Sequence, residues 1–436
     1  MRKIERENII KGALRHLKKF ICAMNAEKEH VLITLKEQLE KQVGYYEKLE
    51  AKFKQIPESL NRGVTVEEFI IQRNLDLLGE RYRQAKFLVS MIPNNMVVSI
   101  ISVFDYFIYE LLHTILENDQ NIFDSMNKKI DYNDISSFKS VDEIRQYYIA
   151  SIVEQELSKS HDMLFLDLEN SFNVRGLKKM AHYKDLLFIT EIRHIIVHHD
   201  AKIGVRFKKS MLDLKIDYEK YGFFAEDGIL DLMPDHIMWI IETVISSGLH
   251  IFFEICERYG DKDKDMRGKY MLELNRLCLD YISIGSTKIA LAICDDFLSK
   301  KLSPEEIMLY TINKAVALNA EKESEKVITL LNRLEWTNAD CKFILAKNIL
   351  LKEYEEAVKY MDCVDLLEWD CGYQDWPLCK EFVTQEIFKE KYRSLYGHEF
   401  EKKISRGYLT VAELRKIRED RKKRLRSYES NDKKEN

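Results

Sequence analysis

Residues 191–200 read EIRHIIVHHD and bring Arg193, His194, His198, His199 and Asp200 into one short stretch. A histidine side chain titrates close to neutrality, so it can take or give a proton at physiological pH. An arginine stays charged, and its planar fork matches two oxygens of a phosphate. Those two residue types suit transfer at phosphorus, where a proton must move while negative charge gathers on a crowded centre. At 100° per residue, Ile189, Ile192 and Ile196 cluster within about 60° and form a core face. His194 and His198 stand four apart and almost opposite it. Arg193 lies between the two sides, with a chain long enough to swing toward His198. Exposed helix faces elsewhere in the chain are mostly Glu, Lys and Asp. A face of Arg and His flanked by Ile195 and Val197 therefore reads as one turned to a cleft or a subunit interface, the plain alternative being an exposed polar stripe.

Three chemistries compete for these residues. His194 and His198 have a spacing that can ligate zinc, but Ile195 stands where a zinc protease needs Glu. The His199-Asp200 pair resembles the HD phosphohydrolases, all-helical enzymes that hold divalent metals. There His161 or His182 would be the upstream ligand, and nothing fixes the distant Asp. The third reading uses the spacing as it stands: Arg193, four residues, then His198, with polar His194 directly after the arginine. This resembles the HEPN superfamily of helical ribonucleases, over roughly residues 93–260. One departure is a glycine that many members carry soon after the His; in HHDAKIG it is delayed to Gly204.

That resemblance implies metal-independent endonucleolysis of RNA, in which the 2′-hydroxyl attacks phosphorus and a 2′,3′-cyclic phosphate is left. His198 would be the general base or acid, Arg193 the phosphate and transition-state stabiliser, and His194 an orienting residue. His199 and Asp200 are secondary candidates, and Asp105 on the first bundle helix is a candidate partner for Arg193. No metal or cofactor is implied. One motif supplies half of the apparatus, so the resemblance implies a homodimer facing through the motif helix. It also implies a regulated toxin or antiviral-defence effector. The competing class is a non-catalytic helical scaffold that binds RNA or a protein.

The elements that must position this motif follow from the rest of the chain. It has 436 residues, 46% hydrophobic and 32% charged, with a formal net charge of −5. That length predicts two or three domains, and that charge excludes a generally basic, nucleic-acid-coating surface. Five prolines and fifteen glycines predict an all-α protein. Pro57 should separate two charged helices, and Pro93-Asn94-Asn95 should cap an apolar helix starting near Met96. Pro234, Pro304 and Pro377 should each begin a helix, with Ser303-Pro304-Glu305-Glu306 as the fullest start signal. Short extended pieces are expected only near 202–207 and 223–232.

The expected organisation is an N-terminal helical segment (1–92), a HEPN-like bundle (93–260), a helical-repeat domain (261–410) and a charged tail (411–436). The bundle helices fall near 96–117, 141–158, 179–199 and 235–257. In the third region, successive second helices, carrying Ala290, then SEKVITLLNRL, then Ala357, start about 30 to 37 residues apart, bracketing the tetratricopeptide period, which these pairs resemble in spacing. A regulatory protein or trigger would bind there. The apolar runs 95–116 and 235–256 carry Asp105 and His113, and Glu242, His250 and Glu254, so both read as core helices and not as membrane spans. Eight scattered cysteines without a CxxC pair, and a start without an apolar signal core, predict reduced thiols in a cytoplasmic protein. Cys363, Cys371, Cys379 and His398 match no compact zinc knuckle.

Overall fold

The computed structural model describes residues 2–31, 66–126, 138–260, 264–364 and 372–401, with a few positions between 41 and 51. Pro57, Cys371, most of the charged stretch near 36–56 and the 411–436 tail lie outside the described residues. Among those described, the chain is all-α. Their only β pairings are the isolated bridges Lys202↔Ile229 and Phe224↔Leu230; both touch stretches expected to be extended, but the expectation for 202–207 is corrected from Val205 on, where the helix Val205–Asp213 begins. Two compact units divide between Leu272 and Glu273.

The N-terminal unit begins with α1 (Lys3–Glu29), whose buried Ile9, Ala13, Leu17, Phe20 and Met24 recur at the helical period and form its inner stripe. It packs on α2 (Val66–Asn118) and on the apolar helix Pro234–Gly260. The expected start near Met96 is corrected: Pro93 lies inside α2, which continues through it. A proline forfeits one ladder bond and costs about 3 kcal/mol in a helix interior. Burial of Val97, Ile100, Ile101 and Phe104 just beyond it offsets that cost at about 1.5–3 kcal/mol per large side chain. Next come α3 (Gln120–Ser125), α4 (Val141–Leu157), α5 (His161–Asn170), the motif helix α6 (Tyr183–His198), α7 (Val205–Asp213) and α8 (Pro234–Gly260). Ser140 caps α4 by accepting the Glu143 N–H, and Arg145 donates to the Leu116 and Glu117 carbonyls, closing the end of α2.

Helix α8 is the unit's central rod. It is apolar and long enough to cross a membrane, yet 89% of its most apolar window is buried inside the fold. Ser246 and Ser247 bond carbonyls of their own helix, and His250 Nε2 lies 3.2 Å from the Gly176 carbonyl. Gly248 lets α1 approach closely, because a Cβ there would fall 2.5 Å from Phe20 Cε1.

In the C-terminal unit, α9 (Lys264–Ser283, which spans the division) and α10 (Thr287–Leu298) make a helix pair. The pairs α11 (Pro304–Ala320) with α12 (Ser324–Leu331), and α13 (Cys341–Leu350) with α14 (Tyr354–Ala357), follow. A capping box at Ser303 and Glu306, with Pro304 in the first turn, starts α11 as expected. Pro377 opens a short 3₁₀ turn (Pro377–Lys380) ahead of α15 (Glu386–Tyr396). The three pairs share one joint. Gly285, Lys322 and Lys352 take left-handed φ values of 79°, 63° and 61°. In each case the next N–H bonds a carbonyl five residues back: Ser286 to Tyr281, Glu323 to Leu318, and Glu353 to Asn348. Ala290 and Ala357 are completely buried on the second helices.

The expectation of uniformly reduced thiols is corrected in this unit. Cys341, at the start of α13, is disulfide-bonded to Cys363, their Cα atoms 6.1 Å apart, within bridging reach.

Candidate active site

Helix α6 places the motif at its C-terminal end. Leu186, Leu187, Phe188 and Ile189 are buried in its first half, and Ile192 and Ile195 in its second. The core face therefore runs through Phe188, Ile192 and Ile195, rotated by about 60° from one drawn through Ile189, Ile192 and Ile196. Ile196 is only partly covered. Val197, 46% exposed, stands furthest from the core, with Arg193 and His194 on its flanks.

His194, His198 and His199 form a cluster: the His194 ring centroid lies 4.8 Å from that of His198 and 5.4 Å from that of His199. His198, His199 and Asp200 are exposed, whereas Arg193 and His194 are partly covered. Arg193 Nε and His194 Nε2 are shut off from solvent and have no hydrogen-bond partner among the described residues. Burial pushes the His194 imidazole below its ordinary value, and the neighbouring His198, Arg206, His199 and Arg193 act in the same direction, which favours its neutral form.

The turn after α6 carries the geometry that the delayed glycine left open. Asp200 and Ala201 take φ values of 50° and 56°, the left-handed conformation that glycine would adopt freely, whereas Gly204 is at −109°. The His199 and Ala201 N–H groups both donate to the Ile195 carbonyl, at 2.9 and 3.0 Å. Leu230 N–H donates to the Ala201 carbonyl and Ile203 N–H to the Gly228 carbonyl, which straps the turn to residues 228–230. Two successive left-handed residues, held by bonds to Ile195 and to residues 228–230, turn the chain immediately after the histidines.

Asp105 does not pair with Arg193. Its Oδ1 lies 2.8 Å from His161 Nε2, because α5 brings His161 against α2, where its ring also stacks near Phe104. His182 Nδ1 lies 3.3 Å from Asp185, which also accepts the Tyr221 hydroxyl at 2.6 Å. Both histidines that an HD arrangement would borrow are thus engaged away from His199-Asp200. Among the described residues, no three His, Cys, Asp or Glu side chains converge as a metal cage. Cys363 is tied to Cys341, and His398 Nδ1 lies 2.8 Å from the Glu399 carbonyl.

One candidate residue was missed by sequence reasoning. Arg206, exposed on α7, lies close enough to act on His194, and exposed Lys202, Lys208 and Lys209 share its segment. The signal was present in KIGVRFKKS, where four basic residues fall within eight positions, but that stretch reads as extended more readily than as a helix start. Val205 and Leu212 on the same helix are 87% and 76% exposed. An arrangement of fixed cations, a neutral imidazole and a solvent-facing imidazole can bind a phosphodiester and shuttle a proton. No protein-family model, curated protein or solved structure matches this chain.

Proposed function

We propose that this chain is a metal-independent endoribonuclease of HEPN type whose reaction centre is built on Arg193 and His198. The observation that carries the reading is the pair of enclosed, unpartnered nitrogens, Arg193 Nε and His194 Nε2, beside the exposed imidazole of His198. An enclosed polar group without a partner costs about 1–3 kcal/mol, which fits a site completed by a ligand. In this reading Arg193 and Arg206 hold the phosphodiester oxygens. His198 takes the 2′-hydroxyl proton as that oxygen attacks phosphorus, the bond to the 5′-oxygen breaks, and a second acid protonates the leaving oxygen. Neutral His194 orients the substrate or its partner imidazole.

The second acid is supplied by another copy of the chain. A homodimer facing through α6 brings two His198 and two Arg193 together, and exposed Val197, Val205 and Leu212 give that surface its apolar contacts. The proposal extends to a cytoplasmic toxin or antiviral-defence effector, held in check through its C-terminal helix pairs.

The test is incubation of purified protein with RNA in EDTA, beside His198→Ala and Arg193→Ala. Cleavage leaving 2′,3′-cyclic ends, lost in both variants, is expected. Cleavage abolished by chelator would point to an HD-type metal enzyme. Cleavage surviving both substitutions would remove this site. Binding without cleavage would leave a scaffold.

A further inference from the structure

A second feature of the N-terminal unit lies between α1 and α2. A cavity of about 410 Å³ opens there, with Phe20 and Phe107 in its wall and His16 at its floor. His16 is 4% exposed, with Nδ1 2.9 Å from Glu110 Oε2 and Nε2 3.2 Å from Thr114 Oγ1. Along the α2 edge, Tyr106, Tyr109 and His113 stack in a ladder with centroids 6.2 and 6.0 Å apart. Tyr106 ends the ladder and is 57% exposed, yet its hydroxyl is anchored to Glu110 at 2.6 Å, so the ring is held out in a fixed position.

Along the α1 edge, exposed Lys11, Arg15 and Lys19 recur every four residues, a stripe about 12 Å long. Lys19 lines the cavity, and Arg15 Nη2 reaches to 3.4 Å from His16 Nε2. The carboxylates nearby are engaged: Glu110 by the Tyr106 hydroxyl, Glu117 by Gln146 and His113, and Glu7 by Lys11. A row of cations facing a rigid aromatic ladder across an apolar trough is the chemistry that holds a single strand, phosphates on one edge and bases stacked on the other.

We infer that the α1–α2 groove is a binding site for single-stranded RNA, with Arg15 and Lys19 on the phosphates and Tyr106 as the stacking platform. The inference rests on the ribonuclease reading for its choice of nucleic acid, and it places a second contact with the RNA away from the Arg193–His198 centre.

The test uses the full chain and a fluorescent 12-nucleotide 2′-O-methyl oligouridine, which has no free 2′-hydroxyl to attack, so anisotropy reports binding alone. Tyr106→Leu should weaken binding by about 5- to 150-fold, as loss of stacking on one base does. Arg15→Glu with Lys19→Glu should weaken it by more than about tenfold and flatten the salt dependence by roughly 0.7 per lost phosphate contact. Lys326→Glu, on α12, should bind as the parent does, and thermal melts should show all variants folded. Binding that is absent in the parent, unchanged in the groove variants, or reduced equally by Lys326→Glu would overturn the inference. Cleavage of ordinary RNA, followed separately, distinguishes the two proposals: a groove variant that binds and cuts like the parent removes the groove and leaves the nuclease centre standing.

Discussion

Left-handed backbone recurs at several turns of this molecule, and a comparison of two of these regions is instructive. In the C-terminal unit, Gly285, Lys322 and Lys352 bend the chain at corresponding points of three helix pairs with the same hydrogen bond. The same joint closes α7, where Lys215 is left-handed and the Ile216 N–H donates to the Met211 carbonyl, so it is a general way of ending a helix. After α6, Asp200 and Ala201 adopt that conformation in succession, once, beside the histidine cluster, and a strap from residues 228–230 holds them. Two successive left-handed residues held from outside are an unusual cost for a turn, and they adjoin the proposed reaction centre.

The largest effect that could break this comparison is on turnover. His198→Ala should lower RNA cleavage by roughly 10²–10⁴-fold, the contribution of a positioned proton-transfer group, with the melting profile unchanged. Arg193→Lys should lose most activity as well, because it keeps charge but not the fork. Equal cleavage by parent and variants in a gel assay would make the α6 turn merely structural.

Packing effects come next. Gly248→Ala must push Phe20 aside, and Ala290→Leu must enlarge a fully buried site, so each should cost about 1–3 kcal/mol in denaturant unfolding. Full stability for either would mean that the contacts drawn at those positions are absent in solution.

Acid response is a smaller effect. Burial lowers the affinity of His194 for a proton in the folded chain, so the unfolded chain binds protons more readily. Stability should be fully present above the ordinary histidine range near pH 6.5 and fall as pH drops through it. His16, also depressed chiefly by burial, adds to the same slope. His194→Gln should make urea midpoints between pH 7.5 and 5 vary less. An unchanged slope would mean that His194 is solvated.

The smallest effect sharpens the contrast of turns. Lys322→Gly should raise stability by about 0.5–1 kcal/mol, since it removes a left-handed side chain at an exposed joint. Asp200→Gly should raise it less, because aspartate tolerates that conformation, and should slow cleavage several-fold by loosening the support of His198. Identical behaviour of the two in melting and cleavage assays would dissolve the distinction between them.

Helical periodicity made the all-α class, the boundaries of α4 and α8, the end of α6 and the rhythm of the pairs legible, since apolar spacing is a local property of the chain. The Ser303 start was legible for the same reason: cap, proline and acidic residue act within one turn. Pro93 misled because its local cost is set against burial contributed by distant partners. The choice of Ile195 over Ile196 depends on which neighbours flank α6, and the engagement of Asp105 by His161 depends on where α5 lies. Neither is written in spacing. Arg206 joins the histidines only through the turn at 200–201, and Cys341 meets Cys363 only through the folding of the last pair. The candidate residues were legible as a set, and their division into enclosed and exposed members was not.

The shared joint of the C-terminal pairs has a consequence for how this region can change. Because the joint recurs inside each pair, a block of about 30 to 37 residues cut from one joint to the next begins and ends with the same backbone signal, and such blocks are interchangeable units of growth. A duplicated or deleted block would meet a compatible junction on either side, so the length of this region can drift over generations in steps of one block without the fold being solved anew.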